Sequence, residues 1–216
     1  MILFGIRSPI VVEFEETCHR LSIPVTAAVS VNGTPRITDR SRIVELDGLN
    51  VEKVGRAFVA CAFSPARRAA LIKMARARDL VLAPALIDPT AILARTVRVG
   101  DGSFINAGVV VGAMSIIGEG VLINRAVSVG HHNILGNYVS IGPGATLAGN
   151  IHVGSGTMIG AGVVVLPDIR IGAGAVIAGG SLVRRHVPDG ACVAGNPATK
   201  FNFNPARSSL NIEDGE

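Results

Sequence analysis

His131 and His132 stand side by side in the segment Val129-Gly130-His131-His132-Asn133-Ile134. A neutral imidazole near pH 7 is a competent general base, so this pair is the first candidate for proton transfer. With Asn133 it places three polar residues at one turn of an otherwise apolar stretch, which reads as a site or as a solvated turn. His152 is a single surface histidine in the same half of the chain, and His19 and His186 read as solvated. No third histidine is expected a whole number of eighteen-residue coils from His131 and His132, so no metal is expected either. Cys18, Cys61 and Cys192 have no histidine neighbour and no metal-ligand spacing, so burial is their default. Arg184-Arg185 and Lys200 suit phosphate contacts or a solvated basic end.

The element that positions these histidines is a repeat. Stepping by six from Val99 gives Ile105, Val111, Ile117, Ile123, Val129, Leu135 and onward to Val183, all branched aliphatics, with Leu93 and Ile87 extending the series backwards. Gly follows the aliphatic at nine positions, among them Gly100, Gly130 and Gly160. Such a period predicts a parallel β-helix in which each hexad is a short strand plus a turn and three hexads close one triangular coil. About seventeen uninterrupted hexads run from Ile87 to Pro188. In this register His131 and His132 take the third and fourth places of their hexad and project outwards.

The first 85 residues read differently. Only four of the 26 glycines, Gly5, Gly33, Gly48 and Gly55, fall there. Strands are expected over 1–6, 24–31, 57–63 and 80–86, and helices over 10–21 and 66–78. Ser8-Pro9 and Ser64-Pro65 both read as helix starts, with Ser at the cap and Pro in the first turn. Strand–helix alternation predicts a small parallel α/β sheet. Both Ser-Pro starts then fall at its carboxyl edge, where an anion can bind. The expected organisation is a Rossmann-like domain over 1–85, an all-β prism with its cap over 86–200, and a flexible tail over 201–216.

Composition narrows the function classes. The 216 residues are 49% hydrophobic and 17% charged, with a mean hydropathy of +0.48, which excludes disorder. No apolar run reaches the roughly 18 residues of a membrane span, and acidic residues follow the N-terminus at once, unlike a signal peptide. The cysteine usage favours a reducing cytoplasm. The net charge is +4, but the basic residues are scattered without a stacking platform, so nucleic acid is not the expected partner. A phosphorylated small molecule suits the charge better.

The chain resembles the sugar N- and O-acetyltransferases in which a small nucleotide-binding α/β domain precedes a left-handed β-helix. These include the bacillosamine-type and perosamine N-acetyltransferases and the sialic-acid O-acetyltransferases. The resemblance rests on Leu86-Ile87-Asp88-Pro89-Thr90-Ala91, Ile123-Asn124, Gly130-His131-His132, Ile141-Gly142-Pro143-Gly144-Ala145, Val187-Pro188-Asp189-Gly190 and Gly195-Asn196-Pro197-Ala198. It is loose over the first 85 residues and close from 86 to 200. It implies a homotrimer in which acetyl-CoA lies between neighbouring prisms and the acyl group passes directly to the acceptor. That acceptor is the amine of a nucleotide-linked deoxy-amino-sugar for surface glycan synthesis, or else a sugar hydroxyl. It further implies that His131 is the general base, that Asn124 contacts the sugar, and that the backbone around Gly160, Ala161 and Gly179 holds the pantetheine arm.

Three positions depart from the family pattern. His132 stands where an acid usually supports the base, and Ser140 where a second histidine usually lies near the thioester. The opening turn reads Gly5-Ile6-Arg7-Ser8-Pro9 in place of a glycine-rich turn with a histidine, which leaves Arg7 and the N–H groups after Ser8 to hold a diphosphate. A non-catalytic prism that binds a nucleotide sugar or CoA is the reading from another class.

Overall fold

A computed structural model describes residues 1–201; the rest of the expected tail lies outside the described residues. The chain opens with β1 (Ile2–Phe4), α1 (Val11–Arg20), β2 (Ala27–Ser30), β3 (Ile43–Glu45), α2 (Val51–Val54), β4 (Ala57–Ala60), α3 (Pro65–Arg76) and β5 (Val81–Leu82). The five strands form one parallel sheet in the order β3-β2-β1-β4-β5. The strand order reverses between β1 and β4, and their carboxyl ends open a crevice there. β1 is wholly buried, as strands covered on both faces must be.

Two expectations in this half need correction. β3 and α2 lie in the polar stretch around Pro35 and Gly48, where no element is predicted; half-buried Ile43 and Val44 signal too weakly for sequence periodicity to find. Ser8 does not cap α1: the helix begins at Val11, Ile10 occupies the cap without a side-chain bond, and the Ser8 carbonyl instead accepts from Val11 N at 3.0 Å. Ser64 does cap α3, accepting from Arg67 N at 3.4 Å, with Pro65 in the first turn.

From Leu86 the chain becomes a triangular prism. Seventeen two-residue strands, one every six residues from Leu86–Ile87 to Leu182–Val183, stack into three parallel faces. The first face starts at Leu86–Ile87, the second at Ile92–Leu93 and the third at Arg98–Val99. Register is eighteen residues per coil, as in Ile123 on Ile141 and Ile141 on Ile159. The inward aliphatics form a core without a single aromatic ring, since the coil's narrow cross-section admits only branched chains. Corners turn through left-handed residues, including non-glycine Met114, Ala126, His132, Tyr138, Asn150 and Asp168.

The α/β domain packs on the first face. Phe14 of α1 stacks on Phe104 of the prism at 3.9 Å between centroids, and Leu86 and Leu122 join the same core. At the prism entrance Asp88 is 1% exposed. It accepts from Thr17 Oγ1 at 3.0 Å, Thr90 Oγ1 at 2.6 Å and Arg20 Nη1 at 3.1 Å. Burial acts to raise its pKa, but the Thr90 and Thr17 hydrogen bonds and the Arg20 charge outweigh it and hold the carboxyl below its usual range.

The firmest bolt between the domains is Arg68 of α3, 1% exposed. Its guanidinium donates to the carbonyls of Ala62 and Phe63 behind β4, and to those of Gly120, Tyr138 and Val139 on the prism. Burial pushes its pKa down to about 9, which leaves it charged at neutral pH. Nothing in the sequence marks Arg68 among seventeen arginines.

Candidate functional site

The first concentration of unpaired charge lies at the crevice between β1 and β4. A cavity of about 480 Å³ is lined there by Arg7, Ser8, Pro9, Arg36, Ala62, Phe63, Ser64 and Arg67. That volume suits a small-molecule ligand. The lining contains three arginines and no carboxylate, and none of the three arginines forms an ion pair among the described residues. Burial, and then the charge of Arg7, push the Arg67 guanidinium below its ordinary value. Like charges held together without counter-ions define an anion site, and the N-terminus of α3 adds its dipole. Arg7 and Ser8 are expected here from the sequence. Arg36 and Arg67 are not, because only the sheet topology brings them to one edge. Arg7 lies across Gly33, where a Cβ would stand 3.3 Å from Arg7 Cδ.

His131 and His132 both project from the corner between the second and third faces, as the hexad register requires. Their Nδ1 atoms lie 3.0 Å apart. One proton must sit between these atoms, so when His131 donates it, the Nε2 of His131 carries the free lone pair. The His131 ring packs over Gly149 of the next coil: a Cβ there would stand 2.6 Å from His131 Cε1 and 2.8 Å from Nε2. Asn133 is not part of an exposed polar cluster. It is fully buried, its Nδ2 donates to Gly130 O and Ala148 O, and its Oδ1 accepts from Ile151 N. It fills the inward place that Ser103 and Ser115 fill in earlier coils, satisfying corner backbone groups.

The other sequence-selected residues lie elsewhere on the prism. Asn124 stands on the corner between the first and second faces, 7% exposed, accepting from Asn106 Nδ2 at 3.0 Å and Arg125 N at 2.8 Å. Gly160, Ala161 and Gly179 share that corner two and three coils further on, and a Cβ on Gly160 would meet Gly179 N at 2.5 Å. Beside them, a Cβ placed on Gly162 or Gly180 would meet nothing within 4 Å. The corner is therefore bare enough for an extended chain to lie against its backbone, which fits a pantetheine arm. Ser140 is fully buried, and its hydroxyl donates to Phe63 O, holding the wall of the arginine cavity against the prism. His19 lies on α1, His152 on the third face, and His186 on the His131 corner three coils beyond His132. That alignment corrects the expectation that no third histidine lies whole coils from the pair; at three coil spacings of about 4.8 Å, His186 is still too distant to share a metal with it. Among the described residues no group of three His, Cys, Asp or Glu is placed to hold a metal ion. Burial pushes the Cys18 thiol up to about 11 and Cys61 well above its usual value, so neither is an activated nucleophile.

Comparison with known proteins agrees with this architecture. The bacterial transferase hexapeptide model (six repeats) matches residues 150–185. No curated protein sequence matches the chain. A variant of perosamine N-acetyltransferase from Caulobacter crescentus, in complex with CoA and GDP-perosamine, superposes with a TM-score of 0.85 at 26% identity, covering 94% of this chain and 96% of that one. The acetyltransferase domain of PglB from Neisseria gonorrhoeae, in complex with acetyl coenzyme A, gives 0.80 at 26% identity over 93% and 98%. WeeI from Acinetobacter baumannii shares the fold, with a TM-score of 0.76 at 22% identity over 93% and 98%. The chain is an acyltransferase of the left-handed β-helix, hexapeptide-repeat class. Within that class its likeness is to the bacillosamine- and perosamine-type amino-sugar acetyltransferases.

Proposed function

We propose that this chain transfers the acetyl group of acetyl-CoA to the amine of a nucleotide-linked deoxy-amino-sugar, with His131 as general base. The observation that carries the reading is the arginine cavity at the strand-order reversal. A pocket lined by three guanidinium groups and no carboxylate selects a polyanion, and a nucleoside diphosphate has that charge. The likeness to a protein crystallised with CoA and GDP-perosamine supports the same assignment.

Bound acetyl-CoA supplies an activated acyl carbon. The chain's own residues do the rest: Arg7, Arg36 and Arg67 hold the diphosphate, and Asn124 contacts the sugar. The His131 Nε2 takes the proton that the amine sheds as the C–N bond forms and the thioester C–S bond breaks, and the departing thiolate takes up a proton to leave as the free thiol of CoA. The His131 Nδ1–H, donating to His132, keeps that lone pair aimed outward. Transfer is direct, since neither buried thiol is activated to form an acyl-enzyme.

The site is shared between copies. In one chain His131 stands at one end of the second face, and Asn124, Gly160 and Gly179 at the other end. That face carries exposed apolar side chains, Ile92 at 67%, Val110 at 44% and Val164 at 40%, a surface that needs a cover. Three prisms packed through this face bring the His131 corner of one chain to the Asn124 corner of the next. The test is thiol release from acetyl-CoA with a panel of GDP- and UDP-linked amino-sugars, on protein whose mass is measured in solution. Turnover by a three-chain particle is expected. No release with any amine, or turnover by a stable monomer, overturns the reading.

Gly149 offers a sharper check of the base. Gly149→Ala is expected to push the His131 ring from its seat and lower kcat by about 10²-fold, the scale of a misplaced reacting group. The thermal midpoint should move little, because the position is at the surface corner. An unchanged kcat would show that the ring position does not matter.

A further inference from the structure

Glu13 stands in the first turn of α1, four residues past Pro9 in the wall of the arginine cavity. Its carboxylate reaches across to the prism, where Oε1 accepts from Arg125 Nη1 at 2.8 Å and Oε2 from Asn106 Nδ2 at 3.4 Å. The same Asn106 Nδ2 donates to Asn124 Oδ1 at 3.0 Å. One carboxylate of the α/β domain therefore holds Asn124 from two sides, through Asn106 in the preceding coil and through Arg125, its neighbour in the chain. Main-chain donors fix how both amides are turned. Ala107 N–H donates to Asn106 Oδ1 at 2.7 Å, and Arg125 N–H to Asn124 Oδ1 at 2.8 Å. A backbone N–H can only donate, so each atom it meets is the amide oxygen and the NH2 group points the other way. The Asn106 NH2 meets Glu13 and Asn124. The Asn124 NH2 meets no protein group among the described residues. The next coil offers it no side chain, because the place eighteen residues on is Gly142, where a Cβ would stand 2.5 Å from Ala161 N. The polar column Asp88, Asn106, Asn124 thus ends on an outward donor where the bare corner begins.

Stability accounts poorly for this clamp. The Glu13 and Arg125 side chains are 21% and 57% exposed, and ion pairs so open to water contribute little to stability. We infer that Glu13 is a positioning residue for acetyl transfer, tying the sugar-facing amide of Asn124 to the helix that leaves the nucleotide cavity. The inference rests on the acceptor reading above, in which Asn124 contacts the sugar. It adds a polarity to that contact: the atom Asn124 meets is a lone-pair oxygen of the sugar, and the amine N–H is left to His131. It also adds a link. Because α1 begins directly after Arg7, Ser8 and Pro9, one helix turn grips the diphosphate at its start and the sugar contact through Glu13. The amine is then presented in a fixed register with the phosphates, which is the condition for a near-attack geometry.

Steady-state kinetics of the full-length protein test this with the GDP- or UDP-linked amino-sugar that it turns over. Glu13→Ala is expected to lower kcat by about tenfold or more, the scale of a lost orienting partner. The KM for acetyl-CoA, the calorimetric affinity for GDP and UDP, and the thermal midpoint should hardly move. Glu13→Gln, whose amide oxygen still accepts from Asn106, should recover most of the loss. Glu16→Ala removes a carboxylate from the same helix, where it pairs with Arg20, and should change none of these readouts. A merely structural Glu13 would lower the thermal midpoint and every kinetic parameter together, and that result overturns the inference, as does an unchanged kcat in Glu13→Ala. Crystal structures of native and Glu13→Ala protein need no turnover: Asn124 is expected in a second rotamer once the clamp is gone, and an Asn124 that keeps its place overturns the inference. A displaced Asn124 in the variant, with native protein inactive on every amine, upholds the clamp and overturns the acceptor reading instead.

Discussion

His131→Ala is expected to lower kcat by about 10²- to 10⁴-fold, the usual contribution of a positioned general base, with the fold and CoA affinity retained. The fold should survive because His131 is exposed, belongs to no core cluster, and its ring packs over Gly149 of the next coil at the surface. Affinity for CoA should survive because the proposed pantetheine contacts are backbone groups at the corner of Gly160, Ala161 and Gly179, which the His131 side chain does not form. The effect therefore belongs in kcat and not in stability. His132→Ala should lose less, about 10- to 100-fold, because it removes only the group that orients the base. Steady-state kinetics with acetyl-CoA and an amino-sugar nucleotide, together with thermal unfolding, read both variants. Equal rates for native protein and His131→Ala would remove the catalytic assignment and favour a prism that binds without turnover.

Arg68→Met is expected to destabilise the protein by about 3 kcal/mol or more, a size reserved for buried polar networks that lose a partner. Replacing a whole buried polar pair by apolar groups is often harmless, but that exchange cannot be made here. The five acceptors of Arg68 are main-chain carbonyls, and no substitution removes them. Two of them, Ala62 and Phe63, form the wall of the arginine cavity. The variant should thus lose nucleotide affinity along with stability. Arg68→Lys keeps a charge but offers only three donors from one point, and should fall between. Denaturant midpoints measure the loss; a midpoint shift worth less than about 0.5 kcal/mol, the scale of a surface change, would mean the carbonyls find water and the bolt is dispensable.

Much of the prism is legible in the sequence because its rule is local. One inward aliphatic every six residues closes a coil whatever lies elsewhere, so strands, register and the outward aim of His131 and His132 follow from counting. The same counting misjudges Asn133, since a polar residue in an inward place looks like part of a site until its three backbone partners are seen. The α/β half is less legible. Its short strand β3 carries half-buried side chains and owes its place to pairing with β2, a contact between distant segments.

Spacing along the chain is enough to set the repeat, the aliphatic core that excludes large rings, and the candidate base. Which charges matter is settled only once the chain has folded. Arg7, Arg36 and Arg67 come to line one cavity because a parallel sheet reverses its strand order between β1 and β4. Arg68, identical to them in type, becomes a buried bolt because α3 lies against the first face. Arg170 meets His186 because successive coils stack in register. The physical reason is common to all: an arginine's task is set by whether carboxylates, carbonyls or an empty cavity surround it, and distant parts of the chain supply those surroundings.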